Sequence, residues 1–268
     1  EPDALYEVVH ALQDRDTDLV YTDEDKVSSD LTYFTDPNFK PDFSLDLLRS
    51  HNYITHFLVI RTSMLKEIGG FRSAFDGAQD YDLLLRCVER TRNIRHVARL
   101  LYHWRMGSGS TAQAPENKQY CYEAGRRALQ EHLWRMGIKG SVACAEKPLW
   151  GFYHTRYETT GNPLISIVIA NRDHTKDLER CICSIREKST YQNFEFIIVE
   201  NGSIKKNTFT YYEKLCSRWQ DVKVVRWKGE FNYSAVNNYG VSHAAGAYVL
   251  LLNNDTELIA PDALGEML

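Results

Sequence analysis

Three short polar clusters stand where a ligand could be held: Asn171-Arg172-Asp173, Glu200-Asn201-Gly202 and Asn253-Asn254-Asp255. Each closes an apolar, β-branched run, at Ile165 to Ala170, Phe194 to Glu200 and Tyr248 to Leu252. Runs of that kind read as parallel strands buried on both faces. Helical patterns separate them, over Lys176 to Lys188, Thr208 to Ser217 and Tyr233 to Ala245, with a further short strand at Val222 to Arg226. Alternation of this sort predicts a doubly wound α/β sheet, and such sheets hold ligands outside the carboxyl ends of their strands. The three clusters fall at those ends. No GxGxxG and no Walker loop is present, which argues against a dinucleotide enzyme and a P-loop ATPase.

The bulk properties bound the partners. With 268 residues, 43% of them apolar, the chain can bury a substantial core and exceeds the usual single domain. A formal charge of −4 gives no reason to expect nucleic acid. The longest apolar runs are far too short to cross a bilayer and no signal peptide is seen, so a cytoplasmic location is expected, with peripheral attachment at the inner membrane face as an extension of it. The six cysteines are scattered; Cys181 and Cys183 lack the two-residue gap of redox and zinc motifs, and all six read as reduced and structural.

The two ends of the chain match each other. Glu1 to Val9 reads EPDALYEVV and Ala260 to Leu268 reads APDALGEML. Pro-Asp-Ala-Leu is an ordinary helix opening, but the recurrence at constant spacing fits one long repeat that the chain enters midway through one copy and leaves midway through the next. The chain also lacks an initiator Met. It is therefore expected to be an excised segment.

Several blocks together resemble bacterial family-2 glycosyltransferases of the GT-A fold, in particular the tandem polysaccharide type. They are ISIVIANRD, FIIVENGS and FNYSAVNNYGVSHAAGAYVLLLNNDTEL in the second part, and DLVYTDEDKV, FKPDFSLDLL, GGF, GAQDYDLLLR and YHWR in the first. The resemblance implies an inverting transfer of sugar from a nucleotide diphosphate sugar to a glycan or lipid-linked glycan acceptor, in surface polysaccharide synthesis. It implies a Mg²⁺ or Mn²⁺ cofactor. The family places its nucleotide half first, whereas here the acceptor half precedes it. Two other readings stay open: a catalytically incomplete fragment that only binds nucleotide, and a nucleotidyltransferase, for which the Gly-rich phosphate loop is missing after the first strand.

The same resemblance assigns residues. Asn253-Asn254-Asp255 occupies the place of the family's DxD metal motif, with Asn253 standing for the first Asp, so Asp255 alone supplies charge. A polar turn is the plainer reading of those three residues. Asp80 aligns with the catalytic Asp, the general base, although an acid in a first helical turn also suits the helix dipole. His103 matches a position that helps hold metal or diphosphate, and Arg105 could pair with phosphate. For the nucleotide, the resemblance points to Asn171, Arg172, Asp173, Glu200 (in place of an Asp), Asn238 and Asn253. Phe231 and Tyr233 could stack on a base or belong to the core. Asp23 and Asp25 form a literal DxD, read as a strand end near the cleft or as a solvated acidic turn.

The expected organisation is an acceptor-side half over residues 1–110, a connecting helix and strands over 111–162, and a nucleotide-binding half over 163–268. The two halves are expected to assemble one GT-A-like mixed sheet in circularly permuted order, or between two chains as a swapped homodimer.

Overall fold

The structure, a computed structural model, describes residues 1–14, 16–106 and 119–268. It divides into two compact units, Glu1–Glu158 and Thr159–Leu268. Both are α/β.

In the first unit, helix α1 (Ala4–Ala11) precedes strand β1 (Leu19–Val27) and strand β2 (Phe34–Asn38). Then come helix α2 (Leu45–Leu48), strand β3 (Leu58–Ile60), helix α3 (Thr62–Ile68), helix α4 (Gln79–Val88) and strand β4 (Ile94–Arg105). β1 is the central strand. It pairs antiparallel with β2 and β3, and parallel with β4 along its whole length. After residues 107–118, which lie outside the described residues, helix α5 (Gln119–Arg135) and the antiparallel pair β5 (Gly140–Cys144) and β6 (Tyr153–Tyr157) complete the unit. The segment read from sequence as a connection is therefore built into this core. Ala124, Ala128, Leu129 and Leu133 of α5 are fully buried in the same cluster as Leu83, Leu84 and Leu85 of α4.

One carboxylate locks this core. Asp82 is completely buried, and both of its oxygens are paired, one with Arg72 at 2.5 Å and the other with Arg86 at 2.8 Å. Arg86 continues to the carbonyls of Ile68 and Gly70 at 2.7 and 2.5 Å. The Gly-Gly of GGF makes that reach possible. Gly69 closes α3 in the left-handed region at φ 87° and Gly70 follows at φ 68°, conformations that side chains with a Cβ rarely adopt.

The second unit runs β7 (Ile165–Asn171), α6 (Thr175–Lys188), β8 (Phe194–Glu200), α7 (Lys206–Arg218), β9 (Val222–Arg226), α8 (Tyr233–Val241), β10 (Tyr248–Asn253) and α9 (Ala263–Glu266). The sheet order is β10-β7-β8-β9, all parallel. Alternation along the strands divides the core between two faces. Ile165, Ile167, Ile169, Phe194, Phe196 and Ile198 pack against the α6 stripe Leu178, Cys181, Ile182, Ile185 and against Tyr212 and Leu215 of α7. That stripe has the spacing of one helix face. Val168, Ile197 and Val199 point the other way, onto Val236 of α8. Gly240 lets α8 approach, since a Cβ there would run into Val168 and Val199.

The single sheet expected from the repeat is not observed. Among the described residues, strands of residues 1–158 pair in one set of sheets and those of 159–268 in another. Among the described residues β10 pairs with β7 alone, while β2, β3 and β4 each pair only with β1.

The Asp82 lock generates a test. Asp82→Asn leaves the buried Arg86 facing a neutral partner, while the partly exposed Arg72 keeps Glu131, and should cost about 3 kcal/mol of stability, measured by denaturant unfolding. Burial opposes the charge of Asp82, but Arg72 and Arg86 outweigh it and hold the carboxyl below its ordinary 3.8. Its contribution is thus complete above that pH and is lost as pH falls through the lower folded value; the Asn variant should lack that part of the acid dependence.

Candidate active site

Parallel pairing puts the second unit's polar clusters side by side. Asn171 is in register with Glu200, and Ala170 with Asn253. A cleft of about 320 Å³ opens over these strand ends, lined by residues that include Asn171, Arg172, Asn201, Phe231, Tyr233 and Asn253. Arg172 is exposed there. Phe231 and Tyr233, 63% and 57% exposed, stand on the cleft wall and not in the core. Their placement follows from the cap between them: Asn232 accepts a hydrogen bond from the Ala235 amide at 2.9 Å and starts α8 at that point.

Beneath the cleft runs a buried chain of side chains. Asn254 donates to the Asn171 side-chain oxygen Oδ1 at 2.6 Å, and Asn171 Nδ2 donates to the Tyr212 hydroxyl at 2.8 Å. Tyr212 donates in turn to Glu200 at 2.8 Å, and Glu200 accepts from the Ser203 amide and hydroxyl at 2.5 and 2.6 Å. The ends of β10, β7 and β8 are thereby tied together. Burial raises the Tyr212 hydroxyl pKa, as does the Glu200 carboxylate, while Asn171 opposes them. Sequence reading missed Tyr212. Its signal was a hydroxyl on an otherwise apolar helix face, which the period alone does not separate from core.

Several residues assigned to nucleotide thus have other partners. Glu200 is 2% exposed and committed to Ser203 and Tyr212. Asp173, at φ 60°, accepts from the amides of Ile204 and Lys205 at 3.0 and 2.9 Å and from Thr208 at 2.9 Å, so it fixes the start of α7. Burial opposes its charge, but these donors outweigh it and hold its carboxyl below the ordinary value. Asn238 is exposed on α8 and does not line the cleft; its neighbour Asn237 is buried and bonded to the Tyr233 carbonyl at 2.8 Å. Asp255 is exposed just past β10, and no hydrogen bond to its carboxylate is seen among the described residues. One open carboxylate fits a hard divalent cation that keeps water and phosphate as its other ligands. Among the described residues, no three His, Cys, Asp or Glu side chains group as a metal site.

In the first unit, Asp80 opens α4 and is half-buried, accepting from the Asn52 amide at 3.2 Å. It lines a cleft of about 370 Å³. Asp82, one turn-step further, faces the core, in keeping with a structural role. The literal DxD is not at a strand end. Asp23 and Asp25 lie within β1 and are 3% and 8% exposed, because the strand continues to Val27. Asp23 takes His96 at 2.7 Å and the Lys40 amide at 2.9 Å. Asp25 takes His103 at 2.5 Å, opposite it in the β1–β4 register. The other His103 nitrogen meets Glu1 at 3.0 Å, so both ring nitrogens face carboxylates. Arg105 is exposed at the end of β4.

Residues 166–268 match the family described as Glycosyl transferase family 2. The whole chain aligns with two curated proteins. One, "Uncharacterized protein y4gI" of Sinorhizobium fredii (strain NBRC 101917 / NGR234), is 44% identical over 100% of this chain and 30% of its own length. The other, "O-antigen biosynthesis protein RfbC" of Myxococcus xanthus, is 39% identical over 99% of this chain and 20% of its own length. The chain thus spans less than a third of either relative. Among solved structures, a mannosyltransferase of Pyrobaculum calidifontis in complex with GDP-Man and Mn²⁺ shares 18% identity, with a TM-score of 0.36 over 40% of this chain and 32% of that one. TarS 1-349 of S. aureus shares 20% identity, with a TM-score of 0.34 over 38% and 30%.

Tyr212→Phe removes the hydroxyl that joins Asn171 to Glu200 and leaves both short of a partner in a buried place. Unfolding measurements should find it about 1–3 kcal/mol less stable than the native protein, and an unchanged stability would show that the chain of bonds contributes nothing.

Proposed function

We propose that the protein is an inverting, metal-dependent glycosyltransferase that moves sugar from a nucleotide diphosphate sugar onto a glycan in surface polysaccharide synthesis. The observation that carries this reading is the cleft over the ends of β7, β8 and β10, in a stretch that matches glycosyl transferase family 2. The likeness to an O-antigen biosynthesis protein supports a polysaccharide product.

Each exposed group has a task in this reaction. Phe231 and Tyr233 offer faces on which a nucleobase stacks, with Asn171 and Asn253 at the cleft floor and rim. Arg172 offers a planar donor fork to the diphosphate. Asp255 would hold a Mg²⁺ or Mn²⁺ ion, which supplies positive charge against the departing diphosphate. In the first unit, taken by itself, Asp80 would be the general base of the domain to which that unit belongs, a role for which a half-buried carboxylate held by one amide is suited. Glu200 and Asp173 keep the loops in place without touching the donor.

Calorimetry of the chain with UDP, dTDP and GDP in Mn²⁺ tests the donor side. One nucleotide should bind, Arg172→Ala should weaken it by at least about tenfold, and Asp255→Ala should abolish the enhancement by Mn²⁺. Failure of all three nucleotides to bind would remove the reading. In protein competent for transfer, Asp80→Asn should leave donor binding intact and lower turnover at least about a hundredfold. Unchanged turnover would reject Asp80 as the base.

A further inference from the structure

Glu200 decides which way a chain of hydrogen bonds must point. Three donors converge on it: the Ser203 amide, the Ser203 hydroxyl and the Tyr212 hydroxyl. A carboxylate only accepts, so the Tyr212 O–H is committed to Glu200 and the Tyr212 oxygen is left to accept. It accepts from Asn171 Nδ2, which turns Asn171 Oδ1 towards Asn254. The last member of the chain must therefore donate. Asn254 does so through Nδ2 at 2.6 Å, and a carboxylate at that position could not. The order matters because Asn171, Tyr212 and Glu200 are 2%, 5% and 2% exposed, and a bond lost there has no water to replace it.

The donor end of this chain lies in the turn that carries Asp255. Asn254 and Asp255 form the turn just past β10. A second grip reaches the same turn from α6. The buried Cys181 thiol donates to the Asn253 carbonyl at 3.7 Å and lies 3.4 Å from the Thr256 hydroxyl, which itself donates to that carbonyl at 2.9 Å. The residues on both sides of Asp255 are thus fastened, while Asp255 itself stays exposed. A lone carboxylate that is to hold a hard cation gains from being held still beforehand, since ordering it at the moment of binding would cost affinity.

Resting on the reading of Asp255 as the cation ligand, we infer that Asn254 is a positioning residue for it, and that the buried Glu200, acting through Tyr212 and Asn171, sets the demand for an amide at that place. Asn254 acts on the turn and through it on its neighbour. An acid at position 254 would add charge beside Asp255 and yet break the chain that holds the turn.

The test has two readouts on the same variants: calorimetry with UDP, dTDP and GDP, with and without Mn²⁺, and denaturant unfolding without ligand. Asn254→Ala should lower the ratio of nucleotide affinity with Mn²⁺ to that without it by at least about fivefold. A looser fold or a lost nucleotide contact would lower both affinities and leave the ratio alone. If Asn254→Ala does not fold, Asn254→Ser replaces it. Asn254→Asp leaves one bond of the buried chain unmade and should raise the unfolding equilibrium constant at least about tenfold. Adding Glu200→Gln lets every bond form in the opposite order, from the new amide to Tyr212, from Tyr212 to Asn171 Oδ1, and from Asn171 Nδ2 to the new carboxylate. The double variant should therefore be more stable than either single variant, where independent losses would add. An unchanged Mn²⁺ ratio in Asn254→Ala, or losses that simply add in the double variant, overturns the inference and leaves the transferase reading standing. A native chain that binds nucleotide with no enhancement by Mn²⁺ defeats the metal reading of Asp255 and the positioning role with it.

Discussion

Parallel register is the constraint on which the rest of the second unit depends. Because β7, β8 and β10 all run the same way and pair in step, three polar clusters far apart in sequence finish on one edge of the sheet. A parallel sheet is dry on both faces, so the first side chains past its end are also the first that can be wetted. Those side chains must still be held. The bonds from Asn254 through Asn171 and Tyr212 to Glu200 hold them, and as a buried polar network they are rigid only while every member is satisfied. Two families of polar residue result: those spent on fixing the strand ends, and those left facing the cleft.

The same division governs the acids of the first unit. β1 carries three successive carboxylates inside a sheet, which is affordable only because each has a partner placed by pairing or by a neighbouring loop. His96 answers Asp23, His56 and Lys40 answer Glu24, and His103 answers Asp25. Burial opposes the charge of Glu24, yet His56 and Lys40 hold its carboxyl below the ordinary value. Two residues apart on α4, Asp82 is enclosed by two guanidinium groups while Asp80 keeps a single amide and an open side. A group that must exchange a proton with a ligand cannot be saturated by the protein, and Asp80 is the acid of this unit that combines partial burial with a cleft.

The α/β alternation, the four strands of the second unit and their boundaries were legible in the chain because apolar runs and helical stripes are local patterns. Ile165 to Ala170 and Tyr248 to Leu252 extend by only one residue in the structure, to Asn171 and Asn253. The placement of Asn171, Arg172 and Asn253 at one cleft was equally legible, since strand direction alone sends them there. The likeness of residues 166–268 to glycosyl transferase family 2 was readable from the motif blocks.

What only the tertiary structure decided was which polar residues are used up. Glu200 and Asp255 close two strands of the same pattern, and nothing local distinguishes the one gripped by Ser203 and Tyr212 from the one left open. Asp23-Glu24-Asp25 looked like a strand end or a solvated turn because three acids in a row are costly to bury, and the partners that remove the cost come from residues 40, 56, 96 and 103. Which strands share a sheet was likewise decided only in three dimensions: among the described residues the strands of 1–158 and those of 159–268 pair separately. Sequence fixes what each segment tends to be; hydrogen-bond partners many residues away fix what each polar group remains free to do.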